Sequence, residues 1–318
     1  MIRFPFCFRP TVAIGFAMLC SVTVYQSQAI AVEPVLLRGH ADAVYDIEFS
    51  PHGEQLATAS YDNSIKIWDL DDGSVDLNLL GHTDQVFRIT NSPSGSKLVS
   101  CSSDGTAIEW DLQSGETACV LRDPGNPILD ADYFPDGKTL VTVGGTIRLW
   151  IGSESAWSSP NPDLYFSVAV APDGESFCAG TKSEIHVFDR ASGTPTKKIE
   201  AGAGMVYNVA YSPDGSTVAS VCSDGFLTLW DATSFERIAT VQADQFSLFA
   251  LRFRSDGATI LTAGRERVIR AWSTADLRLQ SEQRGPEETV LSVDQSPNGA
   301  MMACGSYDGM IHLWKQTP

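Results

Sequence analysis

Metal binding and acid–base or nucleophilic catalysis need clustered ligands or titratable groups, and the 318-residue chain has five histidines to build them from. His40 and His82 each precede a strand-like run, and His52 falls in a turn. His186 and His312 take the same strand position in two different repeats, a polar, half-exposed position held elsewhere by Lys66, Arg148, Thr228 and Arg270. No two of these histidines share a repeat, so zinc or iron held by His is not expected. No Gly-x-Ser-x-Gly, His-Glu-x-x-His, phosphate-cradling glycine loop or EF-hand loop occurs. The Asp-Gly pairs read as turns and lack the further acids that calcium needs. Neither Cys-x-x-Cys nor Cys-x-x-Cys-His is present, so no redox pair or attached haem is indicated. No catalytic, metal-binding or cofactor-binding residue is expected, and no cofactor.

What the chain has in place of a reactive cluster is repetition. SYDNSIKIWD from Ser60 returns as SSDGTAIEWD from Ser102, CSDGFLTLWD from Cys222 and SYDGMIHLWK from Ser306. The marker aromatics Trp68, Trp110, Trp150, Phe188, Trp230, Trp272 and Trp314 lie 42, 40, 38, 42, 42 and 42 residues apart. In step with them run SPHG, SPSG, FPDG, APDG, SPDG, RSDG and SPNG. In most of these, Pro presets φ for a tight turn, and the closing Gly accepts φ > 0, so each marker joins two antiparallel strands. Alternation of period two between markers gives four short strands per unit. In the first unit they are Val44–Ser50, Gln55–Ser60, Ser64–Leu70 and Val75–Leu80, labelled a to d. One such unit cannot bury both faces, and a ring of them can.

GHADAV…SYDNSIKIWD (from Gly39) and GHTDQV…SSDGTAIEWD (from Gly81) resemble full WD repeats, and the likeness runs from about residue 35 to 316. It implies an all-β, seven-bladed β-propeller of four-stranded antiparallel blades. The repeats fall at about 37–70, 79–112, 121–151, 158–190, 199–232, 241–274 and 283–316 within a single propeller over residues 32–318. Unit seven lacks an outer strand, and Val35–Leu37 can supply it, so the N-terminal strand is expected to join the last blade and close the ring. The resemblance also implies a hydrogen-bond chain in a buried corner: His40, Ser60, Asp62 and Trp68 in blade one, and His82, Ser102, Asp104 and Trp110 in blade two. The Trp N–H needs an acceptor, Ser supplies it, and Asp fixes the His tautomer. The chain is read as structural. Blade seven keeps Ser306, Asp308 and Trp314 but has GPEE in place of Gly-His, and blade five has Cys222 for Ser. Blades three, four and six, which lack most of the set, are expected to rest on apolar packing.

A second set of residues points to binding. The position after the first apolar residue of strand a holds Tyr45, Phe87, Leu129, Phe166, Tyr207, Phe249 and Leu291 in blades one to seven. The family places it at the rim of the top face, beside the central channel, where partners dock. Tyr61 and Tyr307, before the b–c Asp, extend that rim. Core packing is the competing reading, but Ile47, Ile89, Val168, Val209, Leu251 and Val293 already fill the alternate slot. Exposed large apolar groups mark interaction sites. The reading is a non-enzymatic scaffold that binds another protein as a monomeric propeller. The alternatives are a propeller hydrolase or lyase with acids at the channel mouth, or a glycan or small-molecule binder there. Acids such as Asp46 and Asp130 beside the rim suggest a partner with a basic segment.

Charge narrows the partners further. The formal net charge is −17, which disfavours nucleic acid and anionic membrane surfaces. Residues 1–31 carry Arg3 and Arg9, an uncharged apolar run from Thr11 to Tyr25, and small residues at Ser27, Ala29 and Ala31. That layout is a secretory signal peptide, so a periplasmic or secreted location is expected, the alternative being an uncleaved membrane anchor. Cys101, Cys178, Cys222 and Cys304 fall on the same strand of four repeats and read as small buried hydrophobes. Cys119 is two strands from Cys101, too far for a bridge.

Overall fold

The computed structural model describes residues 33–159 and 164–316. The segment read as an export signal lies outside them. The described residues form seven four-stranded antiparallel sheets set as the blades of a ring. Innermost strands are Val44–Phe49, Val86–Asn91, Ile128–Tyr133, Ser167–Val170, Val206–Tyr211, Leu248–Phe253 and Val290–Gln295. The N-terminal strand Val35–Arg38 completes blade seven, pairing Val35 with Leu313, Leu36 with His312, Leu37 with Ile311 and Arg38 with Met310. The expected closure is therefore present.

Blades bury their faces against one another. One cluster joins Ile65, Ile67 and Leu79 of blade one to Val86, Leu98 and Trp110 of blade two. The closing cluster joins Leu37, Ile311 and Leu313 of blade seven to Val44, Leu56 and Trp68 of blade one. The Gly-His dipeptide has a steric reason. A Cβ on Gly39 would stand 3.0 Å from the Trp68 ring, and one on Gly81 would stand 2.9 Å from the Trp110 ring.

The Pro-x-Gly turns do more than join strands. Pro51 packs against Gly95, Pro93 against Gly137, Pro135 against Gly174, Pro172 against Gly215, Pro213 against Gly257 and Pro297 against Gly53. Each turn thus touches the turn of a neighbouring blade and ties the bottom of the ring together. Blade six has Ser255 in place of Pro, and its hydroxyl donates to Pro297 O at 2.8 Å.

Candidate functional site

In the blade-one corner, Trp68 Nε1 donates to Thr58 Oγ1 at 2.9 Å. Thr58 Oγ1 lies 2.7 Å from His40 Nε2, and His40 Nδ1 lies 2.9 Å from Asp62 Oδ2. An ionised Asp only accepts, so Nδ1 carries the proton and Nε2 accepts from the threonine. Blade two repeats this with Trp110, Ser100, His82 and Asp104 at 2.8, 2.7 and 3.0 Å. Burial raises the Asp62 carboxyl, but hydrogen bonds from His40, Ser64 and the Ala41 N–H outweigh it and hold the group well below the usual carboxylate range. Asp104 is lowered in the same way, against burial, by Thr106 and the Thr83 N–H.

The serine expected in each chain is the wrong one. Trp68 pairs with Leu56 across the strands, so the indole reaches Thr58 and not Ser60, four residues along. Ser60 and Ser102 instead shape the turns, donating to Asp42 O and Asp84 O and accepting from the Asp62 and Asp104 N–H groups. Cys222 likewise is no substitute acceptor, because Trp230 donates to Ser220. Trp150 and Trp272 donate to Thr142 and Thr262. The usable signal was a hydroxyl ten residues before the Trp, or eight in blade three, whose b–c turn is shorter.

Blades three, four and six do not rest on apolar packing alone. In blade three, Arg148 Nη2 donates to Asp123 at 2.8 Å and the Thr146 hydroxyl donates to the same carboxylate. Blade four joins Tyr165 OH to His186 Nδ1 at 3.1 Å and His186 Nε2 to Glu184 at 2.7 Å. Blade six joins Arg270 to Glu266, Glu282 and Ala243 O. His186 and His312, expected half-exposed, are buried.

At the same end of the blades, on the inner side towards the channel, lies the rim, where Tyr61 directly precedes Asp62. Tyr45, Phe87, Leu129, Phe166, Tyr207 and Phe249 are half-buried and Leu291 is buried. The rings form two groups. Tyr45 stacks on Tyr61 at 5.2 Å and meets Phe87 edge-on at 5.5 Å. Tyr207 lies 6.0 Å from Phe166 and 5.1 Å from Phe249. Leu129 and Leu291 stand between the groups. A cavity of about 430 Å³ is lined by Tyr45, Tyr61, Tyr207, Phe249, Leu291 and Tyr307, with Arg265, Glu288 and Thr289 at its edge. Phe87, Leu129 and Phe166 do not line it. Tyr307 is the most open of the set, at 58% exposed.

Beneath the rim a channel cavity of about 320 Å³ contains Asp46, Glu48, Asp130, Asp132, Arg88 and Arg252 in its wall. These acids have a task that the sequence did not reveal. An innermost strand is a free edge with unpaired N–H groups. Asp46 accepts from Ile89 N at 3.1 Å, Glu48 from Asn91 N at 3.0 Å, and Asp130 from Val168 N at 3.0 Å. Asp132 accepts from Val170 N at 2.7 Å and Asp294 from Phe49 N at 2.8 Å. Each bond crosses to the next blade. Asp46 and Asp130, expected to face a partner, are thus buried caps. Burial pushes Glu48 up to about 8, Asp132 to about 7 and Asp130 to about 6, partly offset at Glu48 by Arg252, at Asp132 by the Val170 N–H and at Asp130 by Arg88. Arg88 reaches over to Tyr207 O at 3.4 Å while contacting Asp46 at 3.5 Å and Asp130 at 3.9 Å. Its side chain lines the channel cavity and not the rim cavity. Among the described residues no three His, Cys, Asp or Glu side chains are grouped to hold a metal ion.

Four stretches, 33–69, 73–111, 193–231 and 278–315, match the family described as WD domain, G-beta repeat. Each runs from the outer strand of one blade through the three inner strands of the next, which are those of blades one, two, five and seven. The chain is 25% identical over 283 residues to the transcriptional corepressor LEUNIG_HOMOLOG of Arabidopsis thaliana, covering 87% of this chain and 30% of that protein. It is 28% identical over 188 residues to Protein groucho of Drosophila melanogaster, covering 55% of this chain and 26% of that protein. The chain thus spans less than a third of either relative. With these repeats carried on a seven-bladed ring, the chain is a WD-repeat propeller protein.

Proposed function

We propose that this propeller is a non-enzymatic, exported scaffold that docks another protein on the aromatic rim of its top face. The observation that carries the reading is the rim cavity, where Tyr45, Tyr61, Tyr207, Phe249, Leu291 and Tyr307 converge from different blades. Half-buried aromatics at the centre of a surface are the usual anchors of an interface. The channel acids are engaged in backbone bonds between blades, which favours the scaffold over an enzyme that would use them. The name of the first relative, a corepressor, supports action through other molecules.

The partner carries a basic segment in this reading. Support comes from the net charge of −17, which acts mainly on association rate and salt dependence. It does not come from Asp46 or Asp130. Export would take the chain away from the transcriptional setting that the relative's name states. N-terminal sequencing of the native protein tests it: Ile30 or Val32 is expected, and Met1 on protein in the soluble cytoplasm would overturn it.

Docking is tested with Tyr207→Ala. Affinity capture from the native extract should lose the partner at least tenfold while the melting temperature moves little, since the side chain is only half-buried. A bottom-face variant, Arg278→Glu, should capture as the parent does. Loss with Arg278→Glu and retention with Tyr207→Ala would move the site to the other face.

A further inference from the structure

Blade seven, which closes the ring, has a corner unlike the others. Both imidazole nitrogens of His312 and the indole Nε1 of Trp314 are buried without a hydrogen-bond partner among the described residues. The sequence explains this. Pro286 stands where blade one has His40, and Cys304 stands where it has Thr58. Proline brings no side-chain polar atom, and a thiol is a weak acceptor. Burial pushes the Cys304 thiol up, so it stays neutral.

His312 is 5% exposed and stacks on Trp314, with centroids 5.9 Å apart and planes at 21°. It lies between Cys304 on one side and Leu36 of the closing strand on the other. The charged groups acting on it are Asp308 from the b–c turn and Arg38 from the closing strand. That strand has only four residues, of which Leu37 alone is buried. We propose that the strand Val35–Arg38 is an acid-released latch: protonation of His312 detaches it from Met310–Lys315 and opens blade seven.

The sign follows from what the proton meets in each state. In the closed blade an imidazolium would be buried with no acceptor and with Arg38 nearby. Burial, opposed by Asp308 and aided by Arg38, depresses its pKa. With the strand released, His312 meets water and titrates near the ordinary value of about 6.5. The open form therefore binds a proton where the closed form does not. Closure is fully stable above that value and weakens as pH falls below it, by up to about tenfold per pH unit. Blade five, which has Thr228 at the strand position of His312 and no histidine, serves as an internal control.

Hydrogen exchange between pH 7.5 and 5.5, corrected for intrinsic rates, tests the latch. Opening at residues 35–38 and 310–315 should rise below pH 6.5, by at most about tenfold per unit, with residues 226–231 and 237–242 of blade five flat. His312→Thr, which copies Thr228 at the same strand position of blade five, should remove the rise. Equal pH dependence in the two blades, or an unchanged rise in His312→Thr, would overturn the proposal. Should that variant fail to fold, the comparison of the two blades in the parent chain still decides.

Discussion

Blades one and seven carry the same signature, a Ser-Tyr-Asp before a strand that ends in Trp, yet their corners differ. In blade one, Trp68, Thr58, His40 and Asp62 satisfy one another. In blade seven, the ring nitrogens of Trp314 and His312 have no hydrogen-bond partner among the described residues. The residues that mark the repeat are not the ones that complete it. What completes it is a hydroxyl on strand b and a histidine in the loop before strand a. Blades three, four and six show a third outcome: the signature is gone, but Arg148, His186 and Arg270 build other polar corners.

The largest effect should come from Thr58→Val. It keeps the shape but leaves Trp68 Nε1 and His40 Nε2 unpaired, at roughly 1–3 kcal/mol for each buried group. Urea denaturation should show a midpoint well below the parent. A midpoint equal to the parent would mean the blade-one corner is no more stable than that of blade seven, and the contrast would fail.

Asp62→Ala comes next, at roughly 1–3 kcal/mol near neutral pH. Its pH dependence sharpens the contrast. The Asp62 carboxyl is depressed in the folded state, so its contribution is present above the unfolded value of about 3.9 and is lost as pH falls towards the folded one. The gap between parent and variant should narrow in unfolding curves taken below about pH 4. The smallest effect is expected from Asp189→Ala at the end of a blade-four strand, where the carboxylate accepts from Ser192 of an exposed turn, so its denaturation midpoint should lie closer to the parent than that of Asp62→Ala.

Much of this was legible in the sequence because it is local. Turn markers, strand alternation and a spacing near 42 residues define blades, and the spare strand at Val35 points to closure. The rim was legible because one register position repeats in every blade. Contacts that depend on cross-strand geometry were not. Choosing Thr58 over Ser60 requires knowing that Trp68 faces Leu56. The channel acids were misread because their partners are backbone N–H groups of the next blade, such as Ile89 N for Asp46. A backbone donor leaves no mark in a sequence. Only the recurrence of acids at two strand-a positions hinted at a shared task.

The central claim is a division of labour, with corners and caps holding the ring while the rim binds. Site-specific photo-crosslinking tests it most directly. A benzophenone side chain is placed at Tyr307, on the rim and 58% exposed, and in a second protein at Arg278, on an exposed bottom turn. Irradiation in the native extract should give one discrete adduct from position 307 and none from position 278. An adduct from position 278 with none from 307 would contradict the account and place binding away from the rim.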